Sequence, residues 1–351
     1  MLRIHRVNCE NPIEKLWSMF LYFESEPHVK SFLQECYLHS FEKDASKLAF
    51  QNTQKFIYYI KQGKEYYAAA ACSNILVKPL LLYYGMVSLL KAVILTSDPF
   101  YPAHTRVLQH GATSRKLKKF DYSFSDDEVK IQKEGLFPLI AHLLNGGDMI
   151  GQKYKIKDLL SIIPELRESY EKTYQEIRLH PLHISQHIDF SSPVTIFYLP
   201  EQLLDVYHLT YDSFIHFLNR HNHGKAQFNH HEIQTPRGII RIKWDHPDKI
   251  HVSESPRGFE NSLFIQDYKG NHYFIDQKPL QQVPEIAAHY MLMYILGMLC
   301  RYETELWGEI IFSFTSKEMF IINEFLNISQ RKFPNLILNL LFHERYIFET
   351  M

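Results

Sequence analysis

Two stretches near opposite ends of the chain, Leu80–Leu95 and Ala287–Cys300, are almost wholly apolar. A helix that is apolar nearly all round must be buried, so each stretch needs a partner. Leu80–Leu95 carries Ser88 and Lys91, with Lys78 and Pro79 just before it. Ala287–Cys300 is shorter than the ~20 residues that cross a bilayer and runs straight into Arg301. Both therefore read as core helices. Each suits the other as packing partner, so Pro79–Thr96 and Pro284–Ile311 are expected to pack together. That contact would close the two chain ends into one core, with the middle of the chain as an insertion.

At 351 residues the chain has room for about two domains, or for one large domain with an insertion. Charged residues are 22 % and apolar residues 46 %, which excludes a disordered chain. Lys+Arg 38 against Asp+Glu 39 excludes a globally basic nucleic-acid coat, so any anion site must be a local cluster. Cys9, Cys36, Cys72 and Cys300 form no C-x-x-C pair, and Cys72 and Cys300 read as small buried residues in a reducing compartment. The N-terminus shows no apolar leader core, so a cytoplasmic protein off the membrane is expected.

The coarse layout is α+β and mainly α. Residues 1–125 read as the N-terminal helical part of the core, opened by Asn11-Pro12, a cap residue with proline at the first helical position. Residues 100–121 show no sustained periodicity and read as a loop, of the length that usually carries function. Residues 126–232 are a mixed, partly helical middle, with Asp126-Asp127 placed at a helix N-terminus. Residues 233–283 form a small antiparallel β-meander, with a hairpin turn at Tyr268-Lys-Gly-Asn-His. Residues 284–351 are the C-terminal helical part of the core: one long helix to Ile311, then Lys317–Gln330 and Pro334–Phe348.

Three groups of residues are suited to binding chemistry. Tyr84, Ser88 and Lys91 stand at i, i+4 and i+7, on one face of an otherwise apolar helix. They are either a narrow wetted stripe or the polar wall of a pocket. Tyr290, Tyr294, Gly297, Arg301 and Glu305 share a face by the same spacing, with Arg301 and Glu305 able to pair. Arg301 either meets solvent or is held for planar recognition of phosphate or carboxylate. The loop from Arg106 to Lys119 holds five formal positive charges and no acid. Within it, Gly111 permits close backbone approach, Thr113 offers a hydroxyl, His110 can carry a proton, and Arg115 and Lys116 suit an anion. The glycine spacing of a dinucleotide or P-loop motif is absent. His216, His221, His223, His230 and His231 lie close together without zincin spacing and read as surface histidines, so neither a metal nor a cofactor is expected. Arg178…His183 and Arg241…His246 match the Arg–His spacing of HEPN-type helical nucleases. With 20 histidines such matches arise by chance, Pro181 interrupts the first, and the second lies in the β-rich segment.

Lys64-Glu-Tyr-Tyr-Ala, Val77–Ala92 (VKPLLLYYGMVSLLKA), His110-Gly-Ala-Thr-Ser-Arg-Lys, Glu128–Pro138 and Tyr290–Trp307 resemble the YaaC-like proteins of Bacillus and its relatives. Ala112 stands where that family tends to have Val or Leu, a small change that leaves the loop's chemistry intact. The resemblance implies an intracellular bacterial protein and supplies no reaction. Its helical core is similar to HEPN-like bundles, an analogy of fold that carries no function.

The leading expectation is a regulatory or binding protein that recognises a phosphate-bearing ligand, a nucleotide or RNA. Its site would comprise Tyr84, Ser88, Lys91, His110, Gly111, Thr113, Arg115, Lys116, Tyr294 and Arg301. One alternative is a metal-independent ribonuclease or phosphodiesterase with His110 as general acid/base and Arg115 or Arg301 stabilising developing charge. Another is an adaptor without small ligand, its aromatic and histidine surface serving a protein partner or a second copy.

Overall fold

The computed structural model describes residues 3–115, 122–144, 149–185, 194–231, 238–255, 258–276, 283–313 and 316–350. Its α-helices are α1 (Pro12–Phe20), α2 (Glu26–Phe41), α3 (Ala45–Ala71), α4 (Lys78–Ser97), α5 (Leu136–Leu143), α6 (Ile156–Ser161), α7 (Arg167–Tyr174), α8 (Gln202–Tyr207), α9 (Tyr211–Arg220), α10 (Glu285–Tyr302), α11 (Thr304–Phe312) and α12 (Glu318–Phe342). Its strands are short: β1 (Ile4–Cys9), β2 (Ala112–Arg115), β3 (Glu128–Ile131), β4 (Lys153–Lys155), β5 (Leu179–Pro181), β6 (His183–Ile184), β7 (Thr195–Pro200), β8 (Gln227–His230), β9 (Ile239–Asp245), β10 (Phe264–Gln266), β11 (His272–Ile275) and β12 (Arg345–Thr350). The fold is α+β and mainly α.

The chain forms two compact units. The larger takes Asn8–Tyr174, Gln281–His343 and Thr350–Met351, and the smaller takes Met1–Val7, Gln175–Leu280 and Glu344–Glu349. Residues 126–174 thus fold with the helices, and residues 175–232 fold with the strands that follow them.

In the larger unit the Asn11 side chain accepts from the amides of Ile13 and Glu14 at 3.1 and 3.3 Å, the cap that starts α1. Helix α4 is the centre. It packs against α3, α10, α12, α5 and α2, so its apolar surface is covered on all sides and its expected contact with α10 is made. By length and composition α4 could cross a bilayer; in this unit 67 % of that segment is buried. At the C-terminal end of α4 the buried side chains of Tyr37 and Asn52 bond the carbonyls of Leu95 and Pro99 at 2.7 and 2.8 Å.

Several local expectations change. Pro284–Ile311 is two helices, broken at Glu303. Lys317–Gln330 and Pro334–Phe342 are one helix, α12, with Pro334 buried inside it. A proline removes one helical amide donor, and here burial of the flanking apolar face outweighs that loss. His343 takes a left-handed conformation, φ +51°, and ends α12, so the last residues form β12 and not helix. The 100–121 segment contains β2, which pairs antiparallel with β3 (Ala112 opposite Ile131, Arg115 opposite Glu128), while β3 pairs with β4. Asp126 ends a 3₁₀ turn, Phe124–Asp126, and Asp127 follows it in extended conformation, so the pair is not at an α-helix start. That turn is held by Glu318, whose carboxylate accepts from the amides of Phe124 and Ser125, both at 2.7 Å. Cys72 is exposed and Cys300 half-buried, because both sit near helix ends and not in the apolar interior.

The smaller unit holds a four-stranded sheet in the order β6-β7-β9-β8, a three-stranded sheet β10-β11-β5 and the pair β1-β12. The strands expected as one meander are therefore shared between two sheets. The hairpin at Tyr268–His272 is present, with Gly270 at φ +88° in its turn. Alternate residues of β7 and β9 point inward and pack with α9 around Trp244, Phe197, Phe214 and Phe259.

His272 lies in this unit at 6 % exposure. Burial, reinforced by Arg345 and His251, pushes its pKa down to about 3. The unfolded chain binds a proton there that the fold excludes, so stability is full above the ordinary histidine range and is lost as pH falls through it. We expect about 2 kcal/mol less protection of the β9 and β11 amides at pH 5 than at pH 7, read by hydrogen exchange after allowance for intrinsic rates. His272→Gln should flatten that dependence, and protection that is already independent of pH in the wild type would contradict it.

Candidate functional site

Helix α4 carries Tyr83, Tyr84, Ser88 and Lys91, and α3 faces its polar stripe with Tyr59, Gln62 and Tyr66. Ser88 Oγ donates to Gln62 Oε1 at 3.1 Å. The rings of Tyr66 and Tyr84 stack at 5.8 Å, and Lys91 Nζ lies 5.6 Å from the centre of the Tyr59 ring. Lys91 is half-buried, and burial pushes its pKa down. A cation–π contact offsets only part of the cost of withdrawing an ammonium from water.

Helix α10 carries Tyr290, Tyr294 and Arg301. Arg301 Nη1 donates to Tyr84 Oη at 3.1 Å, and its guanidinium lies 4.7 Å from the Tyr302 ring centre. Arg301 is exposed. The expected Arg301–Glu305 pair is absent among the described residues, because α10 ends at Tyr302 and Glu305 belongs to α11.

His110 reaches these helices through a backbone crossing that two glycines permit. Gly111 has φ +74° and Gly135 φ +126°, conformations that disfavour any side chain. A Cβ on Gly135 would lie 2.5 Å from both Cα and N of Gly111. Around this crossing the amide of Leu136 donates to the Gln109 carbonyl at 2.7 Å and that of Gln132 to the Gly111 carbonyl at 2.9 Å. His110 is thereby set against three tyrosines. Its Nδ1 and Tyr83 Oη are 2.7 Å apart, Tyr83 Oη and Tyr290 Oη are 3.0 Å apart, and Tyr290 Oη donates to the His110 carbonyl at 2.7 Å. The Tyr294 ring centre is 5.7 Å from that of His110. Burial first, then Arg301 and Lys91, holds the imidazole pKa below its ordinary value. Burial pushes the phenols of Tyr83, Tyr290 and Tyr294 upward, so all three are neutral donors.

A cleft of about 740 Å³ opens beside His110, lined by residues 109–113, 130–134 and Gly151. His110, Gly111 and Thr113 line it, and Thr113 Oγ1 accepts from Gln132 Nε2 at 2.8 Å. Tyr84, Ser88, Lys91, Tyr294 and Arg301 lie outside its lining, in the seam between α3, α4 and α10. The expected residues thus fall into two neighbouring places that share His110. Arg115 ends β2, its side chain lies outside the described residues, and so does Lys116. Sequence reasoning passed over Tyr83 and left Tyr290 out of the site. The i, i+4 spacing of Tyr290 and Tyr294, beside the Tyr83-Tyr84 pair, was the available signal.

The histidines at 216–231 belong to the smaller unit and are exposed or half-buried. Among the described residues no three His, Cys, Asp or Glu side chains converge to hold a metal. No curated protein and no solved structure matches the chain. The family described as YaaC-like Protein matches residues 21–341, which contain the α3–α4–α10 seam, His110 and the adjoining cleft. The chain belongs to the YaaC-like family.

Proposed function

We propose that the seam between α3, α4 and α10, with His110, binds a phosphate-bearing ligand, a nucleotide or an RNA segment, in the cytoplasm. The observation that carries this reading is electrostatic. Lys91 and Arg301 come from helices at opposite ends of the chain, and after burial their positive charges are what lower the His110 pKa. Among the described residues none of the three forms an ion pair with a carboxylate. A half-buried cation without a counter-ion is costly, and a bound anion removes that cost. The tyrosines add hydroxyl donors and flat faces for a base or ribose.

Isothermal titration with inorganic phosphate and with a short oligoribonucleotide tests the reading. Arg301→Ala and Lys91→Ala should each weaken binding about tenfold or more, because a hydrogen bond to a charged group contributes about 1.5–3 kcal/mol. Thermal melting should stay close to wild type for Arg301→Ala. Unchanged affinity in both variants would overturn the reading.

One observation favours a catalytic version, a metal-independent ribonuclease or phosphodiesterase. His110 Nε2 has no hydrogen-bond partner among the described residues and is free to accept a proton. The neighbouring phenols are held neutral and supply no second base. On that version His110→Ala removes RNA cleavage and leaves RNA binding. If the protein neither binds nor cleaves but retains one abundant protein partner, the site is part of an adaptor.

A further inference from the structure

The hydrogen bonds around His110 fix where its proton sits. Each tyrosine hydroxyl has one proton to give. Tyr290 gives its proton to the His110 carbonyl, which can only accept. The Tyr83–Tyr290 bond must then use the proton of Tyr83. With that proton committed, Tyr83 Oη accepts from His110, so Nδ1 carries the hydrogen. The three bonds form a closed ring: His110 Nδ1–H to Tyr83, Tyr83 to Tyr290, Tyr290 to the His110 carbonyl. Neutral His110 therefore presents a bare lone pair at Nε2. A bare lone pair repels a fully deprotonated anion and attracts one that carries a hydrogen. The titratable groups touching His110 are Tyr83 from α4 and Tyr290 and Tyr294 from α10; Lys91 and Arg301 act on it through their charge, and Lys130, Lys133 and Glu134 line the cleft it opens on. From α5 it meets the Phe137 amide, which donates to its carbonyl at 3.2 Å. Glu134 is the one acid among these, and it is paired with Arg106 at 3.5 Å.

We propose that the anion taken by this site is one that brings its own proton, inorganic phosphate or the terminal phosphate of a phosphate monoester, its P–OH donating to His110 Nε2. Lys91 and Arg301 hold the charged oxygens. An internal phosphodiester and sulfate have no hydrogen to donate near neutral pH, so the site selects a nucleotide's terminal phosphate over the interior of an RNA strand. This inference rests on the anion-site reading and sharpens its ligand class. Tyr83 and Tyr290 are positioning residues, acting through the imidazole.

The test is titration of the whole protein with inorganic phosphate and with sulfate across pH 5.5–8. Sulfate can bind only with the imidazolium, so its affinity should fall about tenfold per pH unit above the pKa of His110. Phosphate affinity should hold level until phosphate itself loses its proton, so the phosphate-to-sulfate ratio climbs with pH. In His110→Gln the amide NH₂ can donate at any pH, and the ratio should be flat. In Tyr83→Phe the ring is cut, the Nε2–H tautomer becomes available, and the ratio should drop several-fold while sulfate still binds. Parallel wild-type profiles with a constant ratio overturn this inference and leave the anion site standing. Binding of neither anion at any pH overturns the anion site, and this inference with it. A Tyr83→Phe ratio equal to wild type overturns the role of the tyrosine ring.

Discussion

Lys332→Met should cost the larger unit about 3–5 kcal/mol, because it strands two carboxylates in the interior. Lys332 lies on α12 at 4 % exposure. Its ammonium pairs with Glu165 Oε2 at 2.6 Å and with Glu285 Oε1. Burial opposes the charge on both sides of this cluster, yet the attractions win. Burial pulls the Lys332 pKa down and the two glutamates raise it above its ordinary value. Burial pushes Glu285 up, and Lys332 and His289 bring it below the usual carboxylate range. His289 is itself fixed by Ser329, Nδ1 to Oγ 2.9 Å. Removing the lysine alone leaves the acids to be protonated or hydrated. Chemical denaturation should show the loss, with a fall of about 10 °C in melting temperature. Adding Glu165→Gln and Glu285→Gln should recover much of it, since a neutral, packed cluster has no stranded charge. A loss below about 1 kcal/mol for Lys332→Met would show that water reaches the cluster. Glu285 opens α10, so the same ion cluster anchors the helix that carries Tyr290, Tyr294 and Arg301.

Gly135→Ala should cost about 3 kcal/mol or more, from an unfavourable φ of +126° together with backbone overlap. The new methyl would sit 2.5 Å from Cα and N of Gly111, and a main chain cannot swing aside as a side-chain tip does. Gly151→Ala supplies the comparison. Its φ is +85° but nothing lies within 4 Å of the added carbon, so strain alone applies, about 1 kcal/mol. Gly135→Ala should also displace His110, whose carbonyl is tied to Phe137 and Tyr290. Denaturant midpoints for the two variants check the first claim, and anion affinity at equal folded fraction checks the second. Equal losses for Gly135→Ala and Gly151→Ala would contradict a close crossing at residues 111 and 135.

What could be read from the chain follows how local each cause is. The apolar helices α4 and α10 are visible because burial on every side leaves a continuous apolar run, and two such helices each need a partner. The stripe of Tyr84, Ser88 and Lys91 is visible because helical spacing alone places them on one face. Strand β2 is not, because Ala112-Thr-Ser-Arg has no period of its own and is extended only by pairing with β3. Strand β12 is hidden for the same reason, its partner β1 being at the other end of the chain. Pro334 misleads because its local meaning is a helix break, whereas tertiary burial carries α12 through it. In the site, Lys91 and His110 were legible as a cation and a histidine without acids nearby in sequence, and Arg301 as the cation that ends an apolar run. Tyr83 was not, because its role comes from a bond to His110 across 27 positions and another to Tyr290 across 207.

The central claim is that Lys91, Arg301 and His110 meet around one anion. Following the ring resonances of His110 by NMR while inorganic phosphate is added tests it most directly. The claim predicts a saturable shift of the His110 signals in the wild type that is lost in Arg301→Ala and in Lys91→Ala. His110 signals that stay still while phosphate binds, or that move alike in both variants, would contradict it.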